Sequence, residues 1–172
     1  MRITQVRAII VVGVLAVVAI ATSWFAIAND TQTAQGDDCP PGSVPVSLKL
    51  AEEEDVAVRV LNATDNAGLA DQASAQLTDY GFEVIETGNS DKEELEAQVE
   101  IHFGPDTVAD AHLLRSYFAD SARFFSLEYE EDYVEVILGP GFQQLNTKSD
   151  ARNALSVIGW PEAPEGTCPM KE

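Results

Sequence analysis

The stretch VAVRVLNATDNAGLADQASAQLTDYGFEVIETGN, residues 56 to 89, constrains the fold most, because it can be assigned from end to end. Val56, Val58 and Val60 alternate with Ala57, Arg59 and Leu61, the period-two pattern of a strand with a buried face. Asn62, Thr64, Asp65 and Asn66 follow, with side-chain oxygens able to accept from the free amides of a helix start. Ala70, Ala73 and Leu77 then recur at helical spacing, and Gly81 stands where a helix C-terminus favours positive φ. Phe82, Val84 and Ile85 open a second strand, which Gly88-Asn89 closes. The order is that of a βαβ unit, and small alanines let its helix lie close on a sheet.

A second unit follows the first. Val99, Ile101 and Phe103 alternate with Glu100 and His102, and Gly104-Pro105-Asp106 reads as a helix start. Val108, Ala111, Leu114 and Phe118 form a buried stripe, with Tyr117 beside it. Ala122, Phe124, Phe125, Leu127 and Tyr129 make a further strand. Glu130-Glu131-Asp132 turns it, and Val134, Val136 and Leu138 return as its hairpin partner. The expected fold is α+β, a two-layer sandwich of βαβ-βαββ order with both helices on one face of a mixed sheet. Before the first unit, residues 44–50 read as an extended segment. After the second, Thr147 to Ile158 read as a short amphipathic helix, and residues 160–172 as an arm.

The run Val60-Leu61-Asn62-Ala63-Thr64, then Asn66-Ala67-Gly68-Leu69-Ala70, Tyr80-Gly81-Phe82-Glu83-Val84 and Gly88-Asn89, resembles the opening of the LytR C-terminal domain family. Val136-Ile137-Leu138-Gly139 followed by Phe142 resembles its closing strand, so the likeness spans roughly residues 55 to 142. The resemblance implies an extracytoplasmic module of the cell envelope, of a kind often appended to LytR-CpsA-Psr ligases. A membrane anchor carrying this domain alone is similar to small envelope integrity proteins of actinobacteria. The resemblance implies that the ligase reaction belongs to a separate domain, and none is expected within these 172 residues.

The N-terminus fits export. Arg2 and Arg7 precede an uncharged run, Ala8 to Ala28, long enough as a helix to cross about 30 Å of hydrocarbon. Residues 1–28 are therefore expected to be a membrane anchor with a cytoplasmic head, 29–38 a flexible linker, and 39–172 the extracytoplasmic domain. Cleavage near Ala28, which would release a secreted protein, is the competing expectation. Beyond the apolar run eight basic residues face all 29 acidic ones, a surface that repels nucleic acid. Cys39 and Cys168 flank the folded region, and an even count in an exported chain points to a disulfide pinning its ends.

No catalytic constellation emerges. His102 and His112 have no metal-spaced partners and read as surface histidines, so neither a metal nor a cofactor is expected. Glu100 and Glu135 alternate outward on strands and are the carboxylates a glycan hydrolase or transferase would use; solvated surface acids are the plainer reading. Asn62-Ala63-Thr64 matches a glycosylation acceptor, but its place at a strand-to-helix turn explains it without glycans, and capping is the favoured reading. Phe82, Phe103, Phe118, Phe124 and Phe125 would line the pocket of a lipid carrier, or fill a core. The expectation is a non-catalytic, membrane-tethered module that docks to envelope proteins, LytR-CpsA-Psr ligases among them, or to peptidoglycan-linked polymers. Its first candidate surface is Asn62, Thr64 and Asn66, with Gly88 and Asn89 beside them.

Overall fold

Valines at alternate positions of Ala57–Asn62 (β2) point into the protein, and Val58 and Val60 are fully buried. The computed structural model describes residues 39–92, 95 and 97–170; the expected anchor and linker lie outside them. β2 leads into helix α1 (Leu69–Tyr80), whose Ala70, Ala73 and Leu77 are buried. Gly81 ends it at φ 107°, donating its amide to the Leu77 and Thr78 carbonyls. β3 (Glu83–Asn89) then pairs parallel with β2.

The second unit repeats this with β4 (Val99–Phe103), helix α2 (Val108–Arg115) and β5 (Ser121–Phe125), which pairs parallel with β4. The expected hairpin does not form. β5 ends at Phe125, and β6 (Val134–Leu138) inserts between the two units, parallel to β2 and antiparallel to β4. The sheet order is therefore β3-β2-β6-β4-β5. A strand bonded on both edges needs two apolar faces, and VEVIL offers them: Val134, Val136 and Leu138 on one, Ile137 on the other.

This topology places the helices. Strands β2 and β3 run opposite to β4 and β5, and the two crossovers also step outward in opposite directions. Two right-handed crossovers so related by a half-turn lie on the same face of the sheet. The fold is the expected two-layer sandwich. Its core joins Val58, Val60, Ile101, Val134, Val136 and Leu138 of the sheet to Leu77, Ala111, Leu114 and Tyr117 above them. Burying a side chain of this size fully contributes roughly 1.5–3 kcal/mol.

The ends close on each other. Val44–Val46 (β1) pairs parallel with Thr167–Pro169 (β7), and the Cys39–Cys168 disulfide joins their flanks, with Cα atoms 5.7 Å apart. α3 (Lys148–Ile158) starts at Thr147, whose hydroxyl accepts from the Asp150 amide and donates to the Asp150 carboxylate.

Candidate functional site

The strand-end cluster singled out from sequence is brought together, but its hydrogen bonds are turned inward. Asn62 is buried, and its Oδ1 accepts from the Thr64 amide at 3.0 Å and the Thr64 hydroxyl at 2.8 Å. Its Nδ2 donates to the Asn66 carbonyl, and the Asn66 amide donates to the Thr64 hydroxyl. Gly88 and Asn89 lie opposite Leu61 and Asn62 in the β2–β3 ladder. The side-chain oxygens of Asn62 and Thr64 thus satisfy the loop's own amides rather than the helix start, which is capped by Gly68 without a side-chain bond. A buried amide with these bonds made acts as a brace.

The helix-free face of the sheet carries more unspent chemistry. Strand register lines up Glu86, Arg59, Glu135, His102 and Phe124 in one row across all five strands. Arg59 bridges Glu86 at 3.2 Å and Glu135 at 3.3 Å. Desolvation works against its charge, but Glu86, then Tyr133 and Glu135, outweigh it and hold the guanidinium above its ordinary range. His102 stacks on Phe124 with ring centroids 4.8 Å apart.

One end of this face is covered by Lys92, Leu95 and Gln98, which lie between β3 and β4. Lys92 pairs with Glu100 and stands over the Phe124 ring, while Leu95 and Gln98 close on Gly139. Glu100 was expected to be a solvated acid. It is instead fully buried, with His102 Nε2 3.0 Å from the oxygen that Lys92 holds. Lys92 and His102 make burial of that carboxylate tolerable. At the other end Tyr129 packs on Gly104, where an added Cβ would lie 2.0 Å from the Tyr129 carbonyl oxygen. Tyr129 and Tyr133 meet edge to face. The Tyr129 hydroxyl and Arg59 Nε are buried there without a hydrogen-bond partner. Burial pushes the Tyr129 phenol well above its usual range, so it remains a neutral donor.

Glu100 and Glu135 each already hold a cation, which leaves neither placed as a free general acid. The carboxyl whose pKa is raised, to about 6, is Asp110 on the helix layer, through burial and then the nearby Asp55 charge. His112, expected at the surface, is buried in α2 and donates from Nε2 to the Gly159 carbonyl. Phe82, Phe103 and Phe118 are core, whereas Phe124 lies on the opposite face of the sheet. The layer between helices and sheet, where a lipid carrier would need its cavity, is packed with fully enclosed side chains. Among the described residues no cluster of three or more His, Cys, Asp or Glu could hold a metal ion.

Sequence alternation identifies Arg59, Glu135 and His102 as one face but not Tyr129, which reaches that face from a loop. That Tyr129 meets Arg59 there would have been found only by knowing which strand lies beside which.

Comparison with known proteins agrees with this architecture. The soluble domain of a conserved hypothetical secreted protein from Mycobacterium marinum, an Rv2700 ortholog, superposes with a TM-score of 0.51 at 28% identity. The match covers 73% of this chain and 82% of that one. No curated protein matches. The LytR cell envelope-related transcriptional attenuator model matches residues 55–142, half of the chain, from just before β2 to just past β6. The chain belongs to this family, the LytR C-terminal domain family.

Proposed function

We propose that this protein is a non-catalytic, extracytoplasmic module of the cell envelope, tethered by its N-terminal apolar segment. It supports envelope integrity by docking, through the helix-free face of its sheet, to an envelope protein such as a LytR-CpsA-Psr ligase or to a cell-wall polymer. The observation that carries this reading is the row of Glu86, Arg59, Glu135, His102 and Phe124 across all five strands, on the face that the helices leave uncovered. Its paired charges and stacked rings give a partner both polar and apolar contacts.

The family match supports an envelope setting, and the disulfide supports an oxidising compartment. The M. marinum relative is described as secreted, which supports export of this domain as well.

In-cell crosslinking tests the proposal. A photoactivated residue replaces Glu86 on the open face, and in a separate strain Val157, exposed on α3. Mass spectrometry then identifies what each captures. An envelope protein or a peptidoglycan fragment captured from position 86 and not from 157 supports docking and names the partner class. Capture that is equal at both positions, or none at 86, overturns it.

A further inference from the structure

Basic side chains are scarce in this chain, ten against 29 acids, and most of those described have visible employment. Arg59 bridges two glutamates, and Lys92 holds Glu100. Lys148 stands over the Tyr80 ring, and Arg152 Nε donates to the Lys148 carbonyl. Arg115 and Arg123 differ. They line one pocket of about 340 Å³ at the edge of the sheet, and neither guanidinium makes an ion pair or hydrogen bond among the described residues.

The fold brings them there from separate elements. Arg123 lies opposite Ile101 in the β4–β5 ladder, so its side chain leaves the sheet on the helix side. β5 is an edge strand, and the last turn of α2 brings Arg115 to the same place. The negative C-terminal end of α2 accounts for Arg115 alone, but not for a second arginine delivered beside it. Phe103 and Phe125 form an apolar wall, and Ser121 adds a hydroxyl. Glu162, from the C-terminal arm, also lines the pocket but is not in ion-pair contact with either arginine.

Desolvation, and then the charge of Arg115, hold the Arg123 guanidinium below its ordinary range, with Glu162 only partly offsetting them. Arg123 is exposed, so water screens much of this repulsion, and a bound anion would relieve what remains.

We propose that this pocket binds a small ligand with an oxyanion head, carboxylate or phosphate, and an apolar body. The head bridges Arg115 and Arg123, whose planar forks suit two-oxygen recognition, and Ser121 donates to it. The body lies against Phe103 and Phe125. The volume falls at the lower end of small-molecule sites, roughly 300–1,000 Å³.

The test uses the full chain in detergent, with side-chain Nε–Hε NMR signals of Arg115 and Arg123 followed during titration. Phenyl phosphate, benzoate and the neutral benzyl alcohol are the probes. The expected result is saturable shifts with either anion and none with the alcohol. Affinity should fall at least about tenfold in R123Q, with R115Q as an independent second variant. Tighter binding of phenyl phosphate assigns a phosphate ligand; tighter binding of benzoate assigns a carboxylate. Shifts that do not saturate, that occur equally with benzyl alcohol, or that survive both substitutions would overturn the site.

Discussion

Asp110 shows how a single side chain can act against its local context. It stands in the first turn of α2, where the helix dipole favours a negative charge. Burial and the neighbouring Asp55 charge win instead and raise its carboxyl to about 6. A folded-state pKa above the unfolded value means that folding favours the protonated form. The stabilisation is therefore fully present below about pH 4 and lost as pH rises through 6. Asp110→Asn should stabilise the protein by about 1–2 kcal/mol at pH 7, and by almost nothing at pH 4. Urea unfolding of parent and variant at the two pH values measures this, and equal stability at pH 7 would show that no burial penalty exists. None of this is legible in the sequence, since Asp110 looks like an ordinary helix-start acid. The same holds for Glu100 and His112. Period and spacing show which way a residue faces, but a side chain from outside the strand, here Lys92, can return to cover an outward position.

At the scale of elements, β1 and β7 are three residues each and far from self-sufficient. Their pairing depends on the Cys39–Cys168 bridge, which spans 129 residues of sequence. In the chain-entropy model closing so long a loop contributes about 4–5 kcal/mol. Val56, Leu77 and Val136 pack without help from the bridge, so the main sheet should survive its loss. Cys39→Ser with Cys168→Ser is expected to lower stability by about that amount while leaving the far-UV circular dichroism nearly unchanged. Hydrogen exchange should show protection lost at Val44 and Met170, whose amides bond across this pairing, before any loss in β2 or β6. Simultaneous loss everywhere would mean that the bridge holds the whole domain. The elements themselves were legible, because Val/Ala alternation, Gly81 and the Thr147 cap are local devices. Where β6 goes was not. A hairpin and an inserted strand need the same alternating VEVIL pattern, and only the buried Ile137 on its second face tells them apart.

Over the whole molecule the dominant quantity is charge, formally -19. Acid runs at 52–55 and 130–132 concentrate it, and few cations answer it. Two opposed effects of added salt follow. Screening relieves repulsion among carboxylates, which stabilises the compact state, and it also weakens ion pairs such as Arg59–Glu86. The pairs are few, and the half-exposed ones contribute at most about 1 kcal/mol each. Repulsion involves nearly every acid on the surface and should win. Raising sodium chloride from about 10 mM to 0.5 M, which shortens the screening length from about 30 Å to under 8 Å, should therefore raise the melting temperature by roughly 2–5 °C. Calorimetry of the full chain in detergent at several salt concentrations would measure the slope. A falling melting temperature would mean that the Arg59 and Lys92 pairs outweigh the surface repulsion. It would also point to an open sheet face held together by ion pairs, which a docking partner would have to break.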